Sequence, residues 1–134
     1  MAVSSPWASQ KFAAPIVNLA RRLDAETLVV HVARPQDEDE DESTAKQRGE
    51  QTLKQLIDTL REAQIKTEAV MLFSDDVPKA IINTAKARNC TLIVLGLTRK
   101  SMWKRLTAGD TPGNIIRQSE LPVLVYPASG SGTV

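Results

Sequence analysis

The sequence has few of the residues that usually build reactive or metal-binding sites. Its 134 residues include one cysteine and one histidine, and aromatic residues make up 4%. One cysteine cannot form an internal disulfide, so a reducing compartment fits. One histidine and one cysteine provide neither the ligand spacing of a metal site nor a nucleophile beside a base. We therefore predict a protein that is not an enzyme and binds no metal.

Long apolar runs and a dominant charge are also missing. No run approaches the roughly 20 apolar residues of a membrane-spanning helix, and no basic and then apolar leader opens the chain. The formal net charge is +1, which gives no overall attraction to nucleic acid or to membranes. These features favour a cytoplasmic protein that neither inserts into a membrane nor binds nucleic acid.

Apolar runs rich in β-branched residues alternate with stretches of helical spacing, which predicts an α/β fold. Such alternation is typical of a parallel sheet with right-handed crossovers and helices on both faces. The predicted strands are Met1–Ser4, Glu26–Val32, Ile65–Phe73, Thr91–Leu95 and Pro122–Val125. The predicted helices are Ser9–Leu23, Ser43–Gln64, a third that follows Asp75-Asp76 and ends at Asn89-Cys90, and Thr111–Gln118. One domain over 1–127 is expected, with 128–134 as a flexible tail.

Several side chains are assigned to the core by this pattern. Ala69–Phe73 reads as the buried end of the third strand, and a histidine on a strand, His31, is more often structural than catalytic. Pro15 lies inside the first helix, so it should bend that helix or shift its start. The spacing turns five further helix residues inward: Ile81, Ile82, Ala85, Ile115 and Ile116.

Acidic residues are concentrated in two places. Asp75-Asp76 should cap the third helix, with Pro78 in its first turn; an acid/base or metal pair is the alternative. The six acids of Asp37–Glu42 repel one another and predict a solvated loop. A cation-binding or docking segment is the alternative there.

The stretch from Thr91 to Val125 carries the most specific pattern. An apolar strand stops at Gly96, a basic loop follows, and Gly109-Asp110 leads into the last helix. This stretch resembles the universal stress protein family, whose frame is a glycine, two residues, a second glycine, nine residues, then a glycine and a serine or threonine. The spacing and the outer glycines are kept here, but Arg99 replaces the middle glycine and Asp110 replaces the hydroxyl residue.

The resemblance covers nearly the whole chain and implies a five-stranded sheet of order 3-2-1-4-5. In that order the loops after the first and fourth strands meet at a crevice where ligands bind. Family members that bind nucleotides carry an aspartate after the first strand, where this chain has Ser4. Val32 matches the backbone position that meets adenine, and Thr111 opens the helix that would face the phosphates. The resemblance also implies a homodimer through the last strand, at Val123 and Val125.

The residues of the predicted crevice allow more than one function. Asp110 either occupies the positive end of the last helix or holds a metal together with a nucleotide. The loop's Arg99, Lys100, Lys104 and Arg105 either bind phosphate or are solvated. We favour a non-catalytic regulatory or interaction module with an impaired nucleotide pocket and no bound cofactor. A stress sensor that binds ATP or another adenine nucleotide, and a cytosolic regulatory domain of a membrane transporter, are the alternatives.

Overall fold

A computed structural model describes residues 1–3, 6–33, 41–98 and 111–128 of the chain. These residues form two compact units. The first comprises Met1 and Val3–Asp75, and the second comprises Ala2 and the chain from Asp76 onward.

The first unit contains two helices and two parallel strands. Its elements are α1 (Pro6–Leu23), β1 (Thr27–Ala33), α2 (Glu42–Glu62) and β2 (Thr67–Phe73). The strands pair in a register that runs from Thr27 opposite Thr67 to Ala33 opposite Phe73. The helices pack on each other, and the hydroxyl of Ser9 on α1 donates a hydrogen bond to the main-chain carbonyl of Thr52 on α2.

Apolar side chains spaced three and four residues apart along both helices form the core of this unit. Phe12 on α1, Leu56 and Leu60 on α2 and Val29 on β1 are almost completely buried. Burying each such side chain stabilises the folded state by about 1.5–3 kcal/mol. The helical spacing predicted from the sequence is therefore confirmed for α1 and α2, except at Leu23 at the end of α1, which fits the same spacing but is 54% exposed.

The first helix starts earlier than predicted. It begins at Pro6 rather than Ser9 and continues through Pro15 to Leu23. Proline suits the first turn of a helix because its fixed φ is helical and its missing N–H would have no partner there. Pro15 therefore lies inside the helix, as the sequence pattern indicated, and the bend expected there stays a prediction.

The end of the acidic segment differs from the prediction. Asp41 is the N-cap of α2, where its carboxylate accepts a 2.8 Å hydrogen bond from the N–H of Thr44, and Glu42 lies in the first turn. Carboxylates at this end of a helix are favoured because its free N–H groups and its dipole are positive. The assignment of Glu42 to a loop was therefore wrong, Asp41 is the cap just before the helix, and 37–40 lie outside the described residues.

The burial predicted for the third strand was also wrong. In β2, Ala69 and Phe73 are exposed, Phe73 by 63%, and the residues between them are half-buried. Among the described residues β2 pairs along one edge only, with β1. Neighbouring elements bury less of an edge strand than of a central strand, so the apolar residues of an edge strand need not all be buried.

The second unit repeats the alternation of helix and strand. Its elements are α3 (Val77–Ala87), β3 (Ile93–Thr98), α4 (Thr111–Gln118) and β4 (Val123–Ala128). The two strands are parallel, with Ile93 opposite Val123 and Thr98 opposite Ala128. The Ala2 N–H donates a 3.2 Å bond to the Val94 carbonyl, and Ala2 forms an isolated parallel bridge with Leu95.

Helices α3 and α4 pack on each other. Ile81, Ile82 and Ala85 of α3 are buried, as predicted. Ile115 of α4 is 0% exposed, but Ile116 is 42% exposed, so the inward assignment of Ile116 was wrong. Successive helix residues point about 100° apart, and a helix of eight residues with one packed face covers only one of the two.

The cap predicted for α3 is confirmed. The Asp76 carboxylate accepts a 3.2 Å bond from the N–H of Lys79, and Pro78 lies in the first turn. A cap interaction of this kind satisfies one of the helix-start N–H groups that have no partner within the helix.

The strand ends of the second unit differ from the prediction. Gly96 does not end β3, which continues through Leu97 to Thr98 because β4 pairs with it residue by residue as far as Ala128. Glycine weakens a strand but does not stop it when a neighbouring strand continues the ladder. Ala128, assigned from the sequence to the tail, is the last residue of β4.

The parallel pairing and the alternation with helices confirm the α/β class. Two two-stranded sheets, β1–β2 and β3–β4, are present in the described part of the chain. The predicted first strand contributes the bridge at Ala2, while Ser4 lies outside the described residues. The five-stranded order 3-2-1-4-5 stays a prediction.

Candidate functional site

The carboxyl end of β1 carries the predicted adenine contact. Val32 is half-buried, whereas His31 and Ala33 on either side of it are buried. The alternation of side chains along a strand sends Val32 to the face opposite to that of its two neighbours. Val32 therefore offers a partly open apolar surface at the end of a well-packed strand.

His31 holds the N-terminal segment against this strand. Its Nδ1 lies 2.8 Å from the main-chain oxygen of Val3. A carbonyl can only accept, so Nδ1 carries the proton and donates, which leaves Nε2 as the unprotonated nitrogen of the neutral ring. Burial lowers the pKa of His31 below its ordinary value; the bond to Val3 opposes this shift, and the positive charge of Arg48 reinforces it.

A glycine in α2 makes room for the His31 ring. A Cβ atom on Gly49 would lie 2.7 Å from Cδ2 of His31 and 2.9 Å from Cε of Met71. Met71 is the register partner of His31 on β2, so the two side chains lie side by side under the helix. Sequence reasoning did not single out Gly49, although a glycine inside a helical pattern is a known sign of close packing.

In the second unit, one candidate position lies inside a strand and one lies at the start of a helix. Gly96 is a half-buried residue inside β3, opposite Tyr126 of β4. Thr111 is the first residue of α4, and Pro112 and Gly113 after it are buried. Pro112 lacks an N–H, so the start of α4 offers one donor fewer than a helix without proline.

The remaining predicted site residues lie outside the described residues: Ser4, Arg99, Gly109, Asp110 and the rest of the basic loop. Of the candidates that are described, Val32 belongs to the first unit, and Gly96 and Thr111 belong to the second.

Neither a cluster of metal-binding side chains nor a membrane-spanning helix occurs in the described ranges. No group of three or more His, Cys, Asp or Glu side chains there could hold a metal ion. Among the described helices, none is long and apolar enough to cross a membrane.

The sequence frame around Gly96, the alternation of helices and parallel strands, and the position of Val32 together point to one family. The family model described as the universal stress protein family matches residues 2–127. The chain belongs to the universal stress protein family.

Solved structures of universal stress proteins have the same fold. One from Burkholderia pseudomallei is 20% identical, with a TM-score of 0.72 and coverage of 95% of this chain and 94% of the other. One from Archaeoglobus fulgidus in complex with dAMP is 18% identical, with a TM-score of 0.66 and coverage of 87% and 86%. One from Arabidopsis thaliana with AMP bound is 16% identical, with a TM-score of 0.64 and coverage of 92% and 79%. The comparison with curated proteins found no match.

Proposed function

We propose that this universal stress protein domain is a non-catalytic regulatory module of the cytoplasm whose nucleotide pocket is impaired. The proposal rests on the family's nucleotide-binding motif, whose spacing is retained in this sequence while several of its residues are replaced. Gly96, Gly109 and Val32 match the family's nucleotide-binding positions, whereas Ser4 and Arg99 do not. A serine removes the carboxylate anchor, and an arginine places a long side chain where the backbone should approach the phosphates.

The start of α4 supports the same proposal. Helix starts bind phosphate because their N–H groups are free and the dipole is positive there. Pro112 removes one of these donors, and Asp110 places a carboxylate directly before the helix in sequence. Two unit negative charges about 4 Å apart repel by roughly 4 kcal/mol at an effective dielectric constant near 20. A phosphate group in the family pose would therefore meet fewer donors and a competing charge.

The decisive experiment is a titration of AMP and ATP by isothermal calorimetry at physiological salt. The parent domain should bind weakly or not at all. A triple variant, Ser4→Asp, Arg99→Gly and Asp110→Ser, should gain affinity. It restores the aspartate that anchors the nucleotide, the glycine that lets the backbone approach the phosphates, and the hydroxyl residue before the last helix. Micromolar binding by the parent would overturn the proposal.

A matched control distinguishes the effect of restoring the motif from the effect of changing the charge of the protein. Asp75→Ser, Lys66→Gln and Gln10→Glu together remove one acid and one base and add one acid, as the changes at Asp110, Arg99 and Ser4 do, but at exposed positions outside the family frame. This control should gain no affinity. If neither the parent nor the triple variant binds, Pro112→Ala in the triple variant tests whether the missing donor is responsible.

The second candidate function is an adenine-nucleotide sensor. It is favoured by the similar structures solved with AMP and with dAMP, and micromolar affinity of the parent would select it. A cytosolic regulatory domain of a transporter, or another protein partner, stays a prediction that the native gene context would test.

A homodimer through the last strand is part of the proposal. In the described residues β4 pairs along one edge with β3, and its Val123 and Val125 are half-buried. An apolar strand edge favours pairing with a second copy. Light scattering at tens of micromolar should give the dimer mass, and Val125→Lys should shift it toward the monomer. A monomer mass at all concentrations would refute this assembly.

A further inference from the structure

The single histidine of this chain is the sequence neighbour of one position of the proposed pocket and is hydrogen-bonded to the sequence neighbour of another. His31 is 4% exposed and directly precedes Val32, while its hydrogen-bond partner Val3 directly precedes Ser4. One side chain thus connects the strand that carries the predicted adenine contact with the chain that leads to the anchor position.

Main-chain hydrogen bonds hold only part of the N-terminal segment on β1. The Val30 N–H donates to the carbonyl of Met1, and the Val3 N–H donates to the carbonyl of Val30, both at 2.9 Å. These bonds fix the segment up to the amide of Val3. The carbonyl of Val3, on the side that leads to Ser4, is bound at 2.8 Å by the His31 imidazole.

Packing fixes the ring that makes this bond. Gly49 of α2 lies against the ring edge so closely that an added methyl group would stand 2.7 Å from Cδ2 and 3.2 Å from Nε2. Met71 lies beside the ring from the neighbouring strand. A side chain confined in this way keeps its donor in one place, which is the condition for positioning another group accurately.

We propose that His31 is a positioning residue: its bond to the Val3 carbonyl sets where the chain enters the Ser4 position relative to Val32. The role in ligand binding rests on the proposed function, because only the family pose makes Ser4 and Val32 parts of one pocket. The positioning itself depends on the contacts within the first unit alone.

A matched pair of variants separates the hydrogen bond from the packing. His31→Asn and His31→Leu have side chains of the same branched shape, but only asparagine offers an N–H donor at the δ position. Amide hydrogen exchange of Val3 and Val30, followed by NMR, is the first measurement. We expect His31→Leu to speed exchange of both amides relative to His31→Asn by up to about tenfold, the factor for losing one hydrogen bond.

Buried amides elsewhere in the unit provide the internal control. Leu56 and Leu60 of α2 are 0% exposed, so their exchange reports the global stability of each variant, and the exchange of Val3 and Val30 is compared with it. Equal exchange of Val3 and Val30 in the two variants would overturn the positioning role. Faster exchange of the α2 amides to the same degree would also overturn it, since the effect would then be general destabilisation.

The second measurement places the same pair in the triple variant described above and titrates AMP. The asparagine form should keep the restored affinity, and the leucine form should lose up to about tenfold. Equal affinities would overturn the role in binding. If the triple variant itself does not bind, the proposed repair of the pocket fails, and the exchange measurement alone decides the positioning role.

Discussion

Replacing Gly49 by alanine tests how tightly α2 packs over the His31 ring. In an ordinary helix interior this change stabilises a protein by about 0.5–1 kcal/mol, because glycine loses more backbone entropy on folding. Here the new methyl group would stand 2.7 Å from Cδ2 of His31 and 2.9 Å from Cε of Met71. The sign of the effect depends on whether these two atoms can move.

The two neighbours differ in their freedom to move. Cε of Met71 is the end of a flexible side chain and can turn away at small cost. The imidazole is rigid and anchored by its 2.8 Å bond to Val3. Extra methyl groups that force such shifts in a packed core typically cost about 1–3 kcal/mol. We therefore expect Gly49→Ala to reduce the free energy of unfolding by up to about 2 kcal/mol after the helix gain is subtracted.

Urea unfolding followed by far-ultraviolet circular dichroism measures this change. The double variant with His31→Ala is the control, since without the ring the methyl group has space. In that background Gly49→Ala should stabilise, by up to about 1 kcal/mol. If Gly49→Ala destabilises the parent but stabilises the protein with His31→Ala, the His31 ring is the group that opposes the added methyl group. Stabilisation by Gly49→Ala in the parent would refute the close packing described here.

Three further predictions concern the two units. Burial lowers the pKa of His31, so the unfolded chain binds more protons than the folded chain at mildly acidic pH. The stability that depends on neutral His31 should therefore be complete above pH 6.5 and should fall as the pH is lowered from 6.5 toward the folded pKa. The midpoint of urea unfolding should show this dependence on pH, and His31→Asn should flatten it. Asp41→Ala should lower the melting temperature and Asp41→Asn should not, because the cap needs a side-chain acceptor. Replacing 37–40 by a Gly/Ser linker should leave the melting temperature within a few degrees of that of the parent. Ile115→Ala should cost about 2–5 kcal/mol in urea unfolding, and the exposed Ile116→Ala far less; equal losses would contradict the packing of the last helix.

The amino-acid sequence by itself determined the class of the fold and most of its elements. Alternating apolar runs and helical spacing identified four helices and the four strands β1 to β4, because each pattern reports which side chains must leave water. The cap at Asp76 was readable for a similar reason, since its hydrogen bond spans three residues. The spacing around Gly96 identified the family, which the match over residues 2–127 shows.

The sequence did not determine where strands end or which apolar residues are covered. Gly96 lies inside β3 only because β4 continues beside it, and Phe73 is 63% exposed in a strand that, among the described residues, pairs along one edge only. Likewise, nothing local predicts that Gly49 meets His31 or that His31 binds Val3, which is 28 residues away. Local sequence patterns indicate which residues favour burial and which favour the cap position of a helix. The tertiary structure decides which neighbouring residues bury them, which strands pair and which groups accept or donate the hydrogen bonds.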